Sequence, residues 1–327
     1  MKDLASQFSS SLAQYFIGMI EEKRACGYKY TELSSYTKFD CFLVEQKHKK
    51  ISLPRKIVEQ WLKKQEALLE TSSKTHQCRV TAVRNLADFL IRQGISAYSP
   101  PHFFNVKVKY NYVPYIYSHK EISSLFKAAD ELSKTNTAWH LSYFPVAIRL
   151  FYSTGLRKGE VKNLLWRDID LENGVITIRQ GKHHKDRFIP ITMQMLKILK
   201  DYAQKKTCDP DTFVFHALRS DKIRTFSFYD SFRQVLFQAG IPFKGKRNGP
   251  HLHCLRHTFA VHNLERWLKN KENLQIKLPI LADYLGHESI LATQRYLRLT
   301  PTILPEITAR MEKSVGKLIR SYHNETD

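Results

Sequence analysis

The sequence is poor in the features that build disulfide frameworks, low-complexity tails and membrane spans. Its five cysteines, Cys26, Cys41, Cys78, Cys208 and Cys254, are odd in number, scattered and without a Cys-x-x-Cys pair. That excludes a bridge-stapled small fold and a paired-thiolate zinc ribbon, and suits reduced thiols. Only 12 glycines and 12 prolines occur in 327 residues, too few for a linker-like chain. No segment reaches the roughly 18 uninterrupted apolar residues of a membrane span. The amino terminus, "MKDLASQFSSSLAQYFIGMIEEKR", has one early lysine and an apolar stretch broken by Ser and Gln, so it does not read as a signal peptide. A soluble, cytoplasmic protein is expected. Acidic residues are also scarce: 31 Asp and Glu against 52 Lys and Arg give a formal charge of +21. Such a surface implies a polyanionic partner, most simply nucleic acid.

What is present is an ordered chain, 43% hydrophobic and long enough for two cores. Leu12, Tyr15, Phe16, Met19 and Ile20 recur at helical spacing, with Gly27 placed as a C-cap. Three further helices are predicted: Tyr36, Phe39, Leu43 and Val44; Ile57, Val58, Trp61 and Leu62 behind Ser52 and Pro54; and Val80, Val83, Leu86, Ala87, Leu90 and Ile91 before Gly94. Residues 1–97 are therefore read as a helical bundle. Residues 98–117, with a proline pair and lysines interleaved with aromatics, are read as a basic linker. Ser118 and Glu121 form a capping box that opens a second domain, 118–327. In it, "GVITIRQGKHHKDRFIPI" predicts a hairpin of Val175 to Arg179 and Arg187 to Ile191 with a basic tip, and Thr212 to Phe215 is read as a third strand. The fold class expected is mainly α with a small antiparallel β-sheet, a helical bundle followed by an α+β domain.

The segment "HLHCLRHTFAVH" crowds His251, His253, Cys254, Arg256 and His257 into seven positions. Metal ligation would place cationic Arg256 amid the ligands, with no second cysteine pair to complete the set. His253 and Arg256, three apart, instead face one side of a helix start, while Cys254 and Leu255 project toward packing. Three other pieces accompany it: "TGLRKGEV" with Arg157, the hairpin tip with Lys182, and "LGHESILATQRY", in which His287 precedes Tyr296 by nine residues.

Together, in this order and spacing, these pieces resemble the tyrosine recombinase family, also called the phage integrase family. The resemblance spans the second domain and, more loosely, the first, which would correspond to the family's core-binding, SAM-like domain. It implies that Tyr296 is a nucleophile forming a 3′-phosphotyrosine, Arg157 and Arg256 a phosphate clamp, Lys182 a general acid, His253 an acid/base group and His287 a hydrogen-bonding support. The residue types suit the chemistry. Two planar, always charged guanidiniums meet the negative charge that builds on a phosphodiester under attack. A phenol with pKa near 10 needs cations or a base to become nucleophilic, and the departing oxygen needs a proton.

The resemblance further implies a site-specific DNA recombinase, an integrase or transposase of a mobile element. It would act on double-stranded DNA as a homotetramer on two sites, without metal or nucleotide cofactor. Type IB topoisomerase-like or resolving activity, and non-catalytic DNA binding, stand as alternatives. Lys185 rivals Lys182, His257 is assigned to support of the fold or of the site, and His251 has no role. Two departures from the family pattern are Arg298, where a histidine often follows the nucleophile, and an apparent insertion, "KNKENLQIKLP". The tail after Tyr296 carries apolar residues suited to docking in cis or on a neighbouring subunit.

Overall fold

The computed structural model describes residues 4–28, 30, 33–67, 73–101, 113–135, 142–179, 186–205, 208–215, 225–242 and 249–299. The chain divides into two compact units, 1–111 and 112–327. Among the described residues no helix is long and apolar enough to cross a membrane.

The first unit is built from α1 (Ala13–Ala25), α2 (Ser34–Glu45), α3 (Arg55–Ala67) and α4 (Ser73–Arg92). Their apolar faces meet in a core that includes Phe16, Met19, Phe39, Leu43, Trp61, Val83 and Leu86. Asp40, almost fully buried, accepts the backbone N–H groups of Ser9 and Ser10 at 2.8 and 3.1 Å, giving otherwise orphaned donors a charge-assisted partner. The four helices match the sequence periodicity, but Val44 and Ile91, counted on the apolar faces, stand half exposed at the helix ends.

In the second unit Ser118 and Glu121 form the capping box that the sequence suggests. Glu121 accepts from the Ser118 N–H at 2.8 Å and the Ser118 hydroxyl accepts from the Glu121 N–H at 3.2 Å, opening α5 (His119–Thr135). Next comes α6 (Phe144–Thr154), which buries Phe144, Ala147, Ile148, Leu150 and Phe151. It packs on α5, on α8 (Met193–Ala203) and on α10 (Cys254–Lys269). Truncating a side chain such as Phe151 there costs about 3–5 kcal/mol. Between α6 and α8 lie the short α7 (Lys158–Lys162) and a three-stranded antiparallel sheet of β1 (Ile169–Asp170), β2 (Val175–Ile178) and β3 (Arg187–Pro190) in that order. Ile176 pairs with Ile169 and Ile189, and the three place their side chains on the buried face.

The hairpin strands match the sequence reading, while its tip, 180–185, lies outside the described residues. The third strand does not match. Thr212 to Phe215 forms only an isolated bridge, Phe213 opposite Leu165. The sheet's third member is β1, two residues long and too short to show alternation. The chain closes with α9 (Thr225–Gln238), α10, α11 (Leu274–Leu285), α12 (Ile290–Gln294) and a 3₁₀ turn, Arg295–Leu299. The apparent insertion is a tight passage from α10 to α11: Lys271 takes a positive φ of 56°, and the Asn273 side chain caps α11 by accepting from the Gln275 N–H at 2.9 Å.

Candidate active site

Two helix ends build the site. Helix α6 stops at Gly155 (φ 62°) and α11 at Gly286 (φ 66°), both in the left-handed region that favours glycine. A side chain at Gly155 would also strike Phe259 and Leu285, its Cβ falling 2.7 and 2.9 Å from their atoms. Each stop leaves carbonyls without helical partners, carrying the negative end of the helix dipole. Arginines fill them. Arg256, on the first turn of α10 and nearly fully buried, donates to Gly155 O at 2.7 Å and to Leu285 O at 2.5 Å. Arg157 donates to Gly286 O at 2.7 Å, and Arg187 to Tyr284 O at 3.0 Å.

One carboxylate ties these cations together. Glu160, in α7, takes both ends of the Arg187 guanidinium at 3.0 and 2.8 Å, the Arg157 side chain at 2.9 Å and the Arg157 backbone N–H at 2.7 Å. Burial alone would raise its pKa, but these bonds and charges outweigh it and leave the value below the ordinary one. Burial, and then the charge of Arg157, bring Arg256 down to about 10, still cationic at neutral pH. Three guanidiniums against one carboxylate leave an excess of two positive charges, suited to a phosphodiester whose charge grows during attack.

The imidazoles and the phenol flank this cluster. Tyr296, in the 3₁₀ turn, is buried against Ala260, Val261, Leu264, Leu278, Leu281 and Leu285. Its hydroxyl lies 3.0 Å from His257 Nδ1. Burial raises the Tyr296 pKa, while the charge and hydrogen bonding of Arg256 and the charge of Arg157 pull it down, leaving it above the ordinary value. The phenol is therefore protonated at rest. His257 is pushed down to about 3 by burial, then by His253 and Arg256, and His287 to about 4 by burial and the three arginines. His287 Nδ1 is 2.8 Å from the Thr293 hydroxyl, and its ring stacks at 6.2 Å on that of Tyr296. His253 keeps a solvent-accessible face and meets His257 edge to face at 4.8 Å. Protein packed behind it, followed by Arg256, His251 and Arg157, lowers its pKa to about 4.

Five of the six residues singled out in the sequence thus gather here: Arg157, His253, Arg256, His287 and Tyr296. Lys182 and its rival Lys185 lie outside the described residues. Cys254 and Leu255 are buried in the core, and the Cys254 thiol lies 3.1 Å from His251 Nδ1, turned away from any joint ligation with His253 and His257. Sequence reasoning missed Glu160 and Arg187, and gave His257 only a supporting place. Glu160 stands three residues after Arg157, the spacing at which a glutamate reaches back to a helix start. Arg187 shares strand parity with the buried Ile189, so a cation on an inward face was the available signal.

The profile of the phage integrase family matches residues 116–302, more than half of the chain, and the protein belongs to that family. A Sinorhizobium fredii protein designated integrase/recombinase y4rB is 31% identical over 208 residues, covering 61% of this chain and 66% of that one. Tyrosine recombinase XerA of Pyrococcus furiosus is 36% identical over 174 residues, covering 52% of this chain and 56% of that one. The match thus spans less than two thirds of either relative's length. The fold is also that of the Tn1549 transposon integrase solved with transposon right-end DNA, with a TM-score of 0.62 at 16% identity, covering 94% of this chain and 100% of that one.

Proposed function

We propose that the protein is a site-specific DNA recombinase that cuts and rejoins strands through Tyr296. The Tyr296 oxygen attacks a backbone phosphorus, the P–O5′ bond breaks, and the 5′ oxygen leaves with a proton. The product is a 3′-phosphotyrosine and a free 5′ hydroxyl. Attack by the 5′ hydroxyl of a second strand reverses these bond changes and frees the tyrosine. The phosphotyrosine conserves the bond energy, so neither metal nor nucleotide is assigned a step. The observation that carries this reading is the buried Tyr296 hydroxyl set beside the buried Arg256 in a cluster with excess positive charge.

Arg157 and Arg256 hold the non-bridging oxygens, already oriented by helix-end carbonyls, so little reorganisation is needed as charge develops. His287 and His253, both neutral at physiological pH, serve as hydrogen-bond support and acid/base group, and Lys182 as the acid for the leaving oxygen. Residues 1–97 act as a helical core-binding domain, 98–117 as the basic linker and 118–327 as the catalytic domain. Duplex DNA is the substrate, a homotetramer on two sites the working assembly, a mobile element the setting and the cytoplasm the location. The charge of +21 supports a DNA partner, and the fold shared with a transposon integrase supports the element. The tail, 300–327, lies outside the described residues.

A duplex nicked close to the cut, from which the short 5′ fragment diffuses away, tests the reading. The wild-type protein accumulates a covalent adduct resolved on a denaturing gel, and Tyr296→Phe binds the duplex but forms none. Adduct formation by Tyr296→Phe overturns the assignment.

A further inference from the structure

A cavity of about 770 Å³ in the catalytic unit lies apart from the arginine cluster, and its lining includes Tyr152, His119, His262 and Glu265. The last three each offer a ligand atom, and these atoms lie within 4.8 Å of one another. Their placement follows from the fold. His119 opens α5, and His262 and Glu265, three residues apart on α10, share one helix face. The two imidazoles are stacked with ring centres 4.0 Å apart. The Tyr152 hydroxyl lies 2.9 Å from His262 Nδ1, the kind of outer contact that fixes a metal-binding imidazole and leaves Nε2 as the ligand atom. No side-chain hydrogen bond or ion pair joins His119 or Glu265 to another described residue, beyond the stacking of His119 on His262. In so basic a chain, a half-buried carboxylate held beside two imidazoles rather than against an arginine is an arrangement that a cation explains.

We propose that His119, His262 and Glu265 form a divalent-cation site of zinc type that ties the start of α5 to α10. Two imidazoles and one carboxylate are the donors zinc accepts, whereas calcium and magnesium favour all-oxygen sets. The fourth position opens on the cavity and takes water. Zinc–ligand bonds of about 2.0–2.2 Å require the donors to draw closer, and the exposed His119 is free to swing in. His262 gives up the bond its ring makes to the Tyr117 backbone. His262 follows Arg256 by six residues on the same helix, beyond reach of the reacting phosphate, so the ion braces the helix that carries the catalytic arginine.

The test is independent of DNA cleavage. The full-length protein, stripped with chelator and dialysed, is titrated with zinc against a chromogenic competitor, and with cobalt to read the visible bands of a low-coordinate site. One equivalent is expected, with affinity reduced at least tenfold in both His119→Ala and Glu265→Gln. Zinc should raise the wild-type melting temperature but not that of either variant. No bound equivalent, or an equivalent held unchanged by either variant, overturns the proposal.

Discussion

The hydroxyl of Tyr296 and Nδ1 of His257 lie 3.0 Å apart, inside a site whose cations are anchored on backbone carbonyls. With His257 pushed down to about 3, its imidazole is neutral, and the hydrogen bond between ring and hydroxyl fixes where the Tyr296 oxygen points.

His257→Ala should therefore keep duplex binding and lose about 10- to 100-fold in the single-turnover rate of adduct formation, since small misplacements of a reacting group cost that much. The measurement is adduct against time on the nicked duplex. An unchanged rate would reduce His257 to a packing residue.

Acid should destabilise the protein in a window set by these imidazoles. His257 and His287 have folded values of about 3 and 4, below the ordinary value near 6.5. Above pH 6.5 neither the folded nor the unfolded chain takes up these protons, and stability is complete. As pH falls below 6.5 the unfolded chain binds protons that the fold refuses, so stability drops until the folded values are reached. Glu160, lowered from 4.5, acts only at more acid pH. The melting temperature should be lower at pH 5 than at pH 7, and His257→Ala should narrow that gap. Equal melting temperatures at the two pH values would contradict these values.

Glu160 and Arg187 form a buried pair, their side chains 8% and 12% exposed. Removing Glu160 strands the Arg187 charge, at a cost of about 3–5 kcal/mol, whereas Glu160 without Arg187 keeps Arg157. Urea unfolding of Glu160→Ala should show a loss on this scale, and Arg187→Ala a smaller one. The double variant should lose less than their sum, because no charge of the pair remains stranded. Additive losses would mean the two residues act separately.

Lys182 is separable from its rivals by leaving-group chemistry. If it protonates the 5′ oxygen, Lys182→Ala cleaves normal DNA slowly but recovers on a 5′-bridging phosphorothiolate, whose sulfur leaves without a proton. Arg157→Ala and Arg256→Ala, which lack charge stabilisation, recover much less. Recovery by Lys185→Ala instead moves the acid along the hairpin, and recovery by neither lysine variant directs the search to His253.

The parts of this molecule legible in its sequence are those in which local chemistry and periodicity speak for themselves. The Ser118–Glu121 box, the glycines closing α1 and α4, and the alternation in Val175 to Ile178 all become the elements they suggest. Tyr296, Arg157 and Arg256 were identified by a pattern of separated motifs, which no single segment carries. What escaped depends on distance in three dimensions. β1 is defined only by its partner across the sheet, and Thr212 to Phe215 has strand composition but no ladder to join. Glu160 and Arg187 are 27 residues apart and acquire meaning only when β3 folds against α7. His257 looked like one more histidine in a crowd until the turn holding Tyr296 was laid beside it.

Gly155 and Gly286 give the site a property that its side chains alone would lack. Because the carbonyls gripping Arg256 and Arg157 belong to the last turns of two separate helices, fraying of either turn disperses the charge at once. The cationic pocket therefore exists only while α6, α10 and α11 are folded together, and a partly melted chain presents scattered arginines rather than a gathered cluster. The gathered charge is thereby tied to the cooperativity of the unit rather than to any one side chain.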